Sequence, residues 1–181
     1  MMKASITLLF IICSLNFYAQ ENKGIMPNDK DALVYDTVLV FKNIDSIAIY
    51  NSTKMFIAQE FKTKECYVDL RGKAIASNGH SYIDTEYQSI TINELCTFDF
   101  SVYIKNDKCR IVIKDIKVSS SENGLISTDL ESYLANLKKI PFTGKKMASK
   151  IKSSFNDGVL KLLSRYSDCI ANPQNDDMFN F

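Results

Sequence analysis

From Tyr87 to Val118 apolar and polar residues alternate with a period of two, the pattern of half-buried β-strands. Cys96, Phe98, Phe100, Val102 and Ile104 fall on one face, with Thr97, Asp99 and Ser101 on the other. Lys105-Asn106-Asp107-Lys108 supplies a tight turn, and Cys109, Ile111 and Ile113 resume the apolar face beyond it. With Asn106-Asp107 as the turn residues, Cys109 faces Ile104 and Cys96 faces Lys117. The two cysteines then lie too far apart along the hairpin to bridge. Upstream, Ala32 to Phe41 (ALVYDTVLVF) predicts a first strand. Cys66 to Leu70 and Lys73 to Ser77 predict short strands around Arg71-Gly72, with Asn78-Gly79 as a turn because both residues tolerate positive φ.

Three segments carry helical spacing. From Ser46 to Phe61, Ile47, Tyr50, Ile57 and Phe61 share a face, with Asn43 or Asp45 as the cap. The sequon Asn51-Ser52-Thr53 lies inside this helix and is read as chance. After a polar loop at Ser119 to Gly124, Thr128 and Glu131 have capping-box spacing ahead of Leu130, Tyr133, Leu134 and Leu137, and Pro141 stops the helix. A last helix from about Gly144 to Ser167 carries the stripe Met147, Ile151, Phe155, Val159, Leu162 and Tyr166, with Gly158 weakening its middle. The order strand, helix, antiparallel strands, helices predicts an α+β fold, with helices on one face of a curved antiparallel sheet. That domain spans 32–170, and residues 171–181 read as a frayed tail.

The N-terminus adds a destination. Lys3 precedes an apolar run from Ala4 to Leu15, and Ala19 stands before the polar Gln20-Glu21-Asn22-Lys23. A basic start, a short apolar stretch and a small residue make a secretory signal peptide over residues 1–19, with cleavage near Ala19. Residues 20–31 then form a flexible leader. A spanning helix needs roughly 20 apolar residues, and this run is shorter. Lipidation at Cys13 is disfavoured because Ile12, not a small residue, precedes it. The expectation is export to the periplasm or cell envelope.

Composition narrows the classes. The chain has 181 residues, is 46% hydrophobic and 24% charged, and carries a formal net charge of +1. These figures describe a folded chain of one domain. Loss of residues 1–19 removes one lysine and no acid, so 162 residues remain with 21 basic against 21 acidic side chains. A neutral mature chain argues against nucleic acid as a partner. Cys66, Cys96, Cys109 and Cys169 remain, an even number that permits disulfides in an exported chain but lacks the spacing of a zinc site.

Local wording points to a family. Val34-Tyr35-Asp36-Thr37-Val38 leads into Ile49-Tyr50-Asn51 and Lys54-Met55-Phe56-Ile57-Ala58. Val68-Asp69-Leu70 with Gly72-Lys73-Ala74-Ile75 follows, then the hairpin ending Ile113-Lys114-Asp115-Ile116. From Ala32 to Val118 this resembles DUF4468, an exported bacterial family of unknown function with a TATA-binding-protein-like (TBP-like) fold. Family members often have tryptophan where Phe56 stands; this chain has none. The resemblance implies the fold and no enzyme activity, cofactor or catalytic residue, because function resides in sites and not in folds.

Chemistry-bearing residues are sparse. His80, with Ser77, Ser81 and Asp84 nearby in sequence, invites a hydrolase triad, but no nucleophile-elbow pattern accompanies it and an exposed loop position is expected. Asp84 with Glu86, and Asp129 with Glu131, are carboxylate pairs only by sequence proximity. No catalytic, cofactor-binding or metal-ligating residue is assigned. The final helix has one distinct pattern: Lys145, Lys146, Lys150, Lys152, Lys161 and Arg165 against Asp157 give a local net of +5. These six residues are the candidate contact with an anionic surface, and a solvated helix face is the simpler reading of them. The expected function is a non-enzymatic binding or structural module of the cell envelope, with an envelope protein or anionic surface as partner. The alternatives are peripheral membrane association through the basic helix, and an envelope hydrolase using His80.

Overall fold

The two-residue turn at Asn106-Asp107 forms as its composition predicts, with Asn106 at φ 55° and Lys105 opposite Lys108. Around it the computed structural model, which describes residues 33–63, 67–68, 73–88, 90–119 and 127–172, places six strands and three helices. Their order is β1 (Tyr35–Val40), α1 (Ser46–Glu60), β2 (Tyr67–Val68), β3 (Ala74–Tyr87), β4 (Ile90–Lys105), β5 (Lys108–Ser119), β6 (Ser127–Asp129), α2 (Leu130–Lys138) and α3 (Gly144–Ala171). The strands run antiparallel in the order β1-β5-β4-β3-β2, and β6 joins β5 beyond the end of β1. The fold is α+β, as the element order predicts. Residues 1–32, where the sequence predicts a signal peptide and leader, lie outside the described residues, as do Cys66, Arg71-Gly72 and the residues from 173.

The predicted inward face of β4 holds at every position: Cys96, Phe98, Phe100, Val102 and Ile104 are buried. The register departs from expectation at one point. Pairing runs without a break from Lys105↔Lys108 to Asp99↔Lys114, then shifts, so Cys96 faces Val118 and not Lys117. The extra residue is on β5, where Asp115 sits at φ 53°. Because strand faces alternate, an unbroken register would have turned Lys117 inward. The bulge turns Ile116 and Val118 into the core instead, and leaves Lys114, Asp115 and Lys117 exposed.

The turn expected at Asn78-Gly79 does not exist. β3 runs straight through it to Tyr87, and the reversal comes at Gln88, at φ 49°. Gly79 serves a different purpose. It pairs with Phe98, whose ring lies over it so closely that a Cβ there would sit 2.2 Å from Phe98 Cε2. The glycine is spacing, not bending. His80 is therefore a half-buried strand residue opposite Thr97, not a loop residue, with its ring centroid 6.1 Å from that of Phe61.

The helices fill one side of the sheet. Asp45 caps α1 by accepting from Ala48 N–H at 2.7 Å. The buried stripe of α1 is Ile49, Ser52, Thr53, Phe56 and Ile57, followed by Phe61, whereas Ile47 is 70% exposed. The apolar spacing misled because two hydroxyl residues lie inside the true stripe. Thr53 Oγ1 donates to the Ile49 carbonyl at 2.7 Å and lies 2.8 Å from Tyr166 OH, so its burial is compensated. The capping box at α2 is also absent. Thr128 belongs to β6, Asp129 occupies the cap position, and the Glu131 carboxylate accepts from the backbone N–H of Leu33. α3 matches its predicted stripe except that Met147 is half-buried, and it runs on to Ala171 with Ile170 buried. One continuous core results, in which Phe56, Phe61, Phe100 and Tyr166 pack with centroids 5.2–6.2 Å apart, edge-on except for the tilted pair Phe56–Phe100.

Candidate functional site

Ile75, Ser77, Gly79 and Ile83 face the helices, and Ser81 Oγ approaches Gly158 of α3. His80 and Asp84 alternate with these residues along β3, and the His80 ring lies beside that of Phe61. The Asp84 and Glu86 side chains are exposed, and their carbonyls accept from Ser154 Oγ at 3.1 Å and Lys150 Nζ at 2.7 Å. Glu131 is occupied by Leu33.

The buried nucleophiles are explained by packing. Burial pushes the Cys96 thiol up to about 12 and the Cys109 thiol up to about 11, and raises the Tyr166 phenol. These groups stay protonated at neutral pH, where a reactive thiol needs the opposite shift. Cys96, Cys109 and Cys169 are free thiols.

The six predicted basic residues do not form one patch. Lys146, Lys150 and Lys161 fall on one outward stripe of α3, but Asp157 lies on that stripe between the last two. Arg165 pairs with Glu60 of α1 at 2.5 Å, and Lys152 borders a shallow depression with Leu33, Val34 and Tyr35. The helix also takes in Asp168, which lowers its net charge from the expected +5 to +4. Lys161 lies about 22 Å along the axis from Lys146 at 1.5 Å per residue.

What the fold does bring together is a corner. α2 ends at Lys138 and α3 begins at Gly144, with Lys139, Ile140, Pro141, Phe142 and Thr143 between them. Lys138, Lys139, Lys145 and Lys146 are all exposed around it. At its tip Ile140 is 46% and Phe142 102% exposed. Phe142 is held at φ 63°, a left-handed conformation uncommon for an aromatic residue. Hydrogen bonds from Thr143 N–H to the Pro141 carbonyl (2.7 Å) and from Gly144 N–H to the Ile140 carbonyl (3.2 Å) fix the bend. Gly144 permits it, since a Cβ there would lie 2.0 Å from the Leu137 carbonyl oxygen.

Neither the family models nor the curated proteins give a sequence match. Solved structures do. A TBP-like protein from Parabacteroides distasonis superposes with a TM-score of 0.60 over 82% of this chain and 97% of its own, at 14% identity. A DUF4468 family protein from Bacteroides ovatus gives a TM-score of 0.60 over 80% and 89%, also at 14% identity. The fold is TBP-like.

This TBP-like chain therefore has the architecture its local wording suggested. At that identity the likeness speaks for the backbone, and the side chains must be read on their own. Sequence reasoning included Lys145 and Lys146 but missed Lys138, Lys139, Ile140 and Phe142. A signal was present. The run Lys-Lys-Ile-Pro-Phe-Thr-Gly-Lys-Lys (138–146) sets paired lysines on both sides of two large apolar residues, in a stretch with no acid between Glu131 and Asp157.

Proposed function

We propose that this chain is an exported, non-enzymatic binding module of the cell envelope, of the DUF4468 kind, that makes contact through the α2–α3 corner. The observation that carries this reading is the exposure of Phe142 and Ile140 between two pairs of exposed lysines, at the end of α2 and the start of α3. A folded protein gains nothing for its own core by holding a phenylalanine fully in water. The N-terminal Lys3, apolar run and Ala19 support export. An envelope hydrolase using His80 has less support, because the His80 ring lies beside Phe61 and Ser77 is buried with its hydroxyl donating to the Asn78 carbonyl.

The test is a photoreactive side chain at position 142 in living cells, with the same group at Tyr103 on the helix-free side of the sheet as comparison. The reading expects a processed chain lacking its first 19 residues, and adducts with envelope material from 142 but not from 103. Full-length protein retained in the cytoplasm, or adducts from 103 alone, would overturn it.

A further inference from the structure

We infer that the α2–α3 corner docks on an anionic lipid bilayer, with Phe142 and Ile140 entering the interface and Lys138, Lys139, Lys145 and Lys146 meeting lipid phosphates. This rests on the binding-module reading and names its partner. Residues 132–156 contain six lysines and no Asp, Glu or Arg. Such a stretch is drawn to a negatively charged surface. Lysine is depleted in protein–protein interfaces, where carboxylate recognition favours the planar fork of arginine. Flexible point charges on long stems suit instead a fluid array of phosphates whose positions adjust. Aromatic side chains favour the same depth, at the boundary between headgroups and acyl chains.

The geometry presents these groups together. Lys138 and Lys139 stand at the end of one helix, Lys145 and Lys146 at the start of the next, and the apolar tip projects between them. The tip is held open in advance by the left-handed Phe142 and the two backbone hydrogen bonds. Little order has to be gained on docking. Among the six basic residues of the final helix, Lys161 and Arg165 lie too far along α3 to share the contact, and Arg165 is held by Glu60.

Vesicle flotation with the mature chain tests this, using zwitterionic phosphatidylcholine vesicles and vesicles containing phosphatidylglycerol. Soluble polyglutamate is the non-lipid competitor. The chain should float with the anionic vesicles and stay behind with the zwitterionic ones. Replacing the four corner lysines with glutamine should weaken partitioning by about 100-fold or more, at roughly fivefold per lysine. Phe142→Ser should weaken it roughly tenfold, an estimate set below full burial of the ring. Lys161→Gln should leave it unchanged, and 0.5 M salt should abolish it. All these positions are exposed, and circular dichroism verifies that each variant is folded. Equal flotation of the Phe142→Ser protein, or of the four-lysine variant, would overturn the inference. Tight polyglutamate binding without flotation would also overturn it, while leaving the binding-module reading in place.

Discussion

Replacing Gly79 with alanine tests whether that glycine bends the chain or makes room for a ring. An alanine Cβ at 79 would stand 2.2 Å from Phe98 Cε2 and 2.9 Å from both Cδ2 and Cζ. Phe98 is 3% exposed and locked by the core, so it has little room to retreat. Overpacking of this kind costs about 1–3 kcal/mol. Alanine also restricts the unfolded chain more than glycine, which returns about 0.4–1 kcal/mol. The net expectation is a loss of about 1–2 kcal/mol. Urea unfolding followed by circular dichroism reads this as a midpoint lowered by roughly 0.5–1 M, with an m-value near 2 kcal/mol per molar. A turn glycine at positive φ would also resent alanine, so the single variant does not discriminate. The double variant does. Phe98→Val removes all three opposing atoms, and Gly79→Ala in that background should be neutral or stabilising, a coupling of about 1–2 kcal/mol. Additive effects of the two changes would refute the packing explanation.

Three further outcomes follow from the core and its caps. Tyr166→Phe removes a hydroxyl shared with Thr53 and Cys109 but leaves Thr53 bonded to Ile49, so it should cost about 1 kcal/mol and lower Tm by about 2–4 °C. An unchanged Tm would contradict that network. The buried thiols should make stability fall between pH 9 and about 12, because the unfolded chain releases the cysteine protons from 9.0 upward while burial holds Cys109 protonated to about 11 and Cys96 to about 12. Cys96→Val should make that alkaline loss shallower in pH-dependent denaturation, and an identical slope would exclude Cys96 as a contributor. Asp45→Ala should destabilise by about 1 kcal/mol in the same urea assay, through loss of the bond to Ala48 N–H, and a value near zero would count against the cap.

Much of the fold was legible because strand alternation and helical stripes are strong wherever one face is apolar and the other polar. β4 and α3 are such elements. The Gln88 reversal was hidden because Asn78-Gly79 gives a stronger local turn signal than the residues that actually turn, and only the ring of Phe98 explains that glycine. The α1 face was misread because Ser52 and Thr53 are polar in composition yet satisfied inside the core. The parity switch at Asp115 was readable in retrospect: Ile111 and Ile113 are followed by Ile116 and Val118, so one residue must be absorbed to keep all four inside. At the candidate site, the lysines of α3 drew attention as a helical run. The fold regrouped them, joining two with the end of α2 and dispersing the rest, which spacing within one helix does not reveal.

The chain contains no tryptophan, so a single Phe142→Trp substitution reports on the corner alone. Its emission should lie at the red, water-exposed limit in the free protein, then shift to the blue on adding phosphatidylglycerol vesicles and be quenched by brominated acyl chains. The same residue placed at Tyr103 should stay unchanged. Emission at 142 indifferent to the vesicles, or a blue shift at 103 in its place, would contradict the assignment of the α2–α3 corner as the surface through which this protein works.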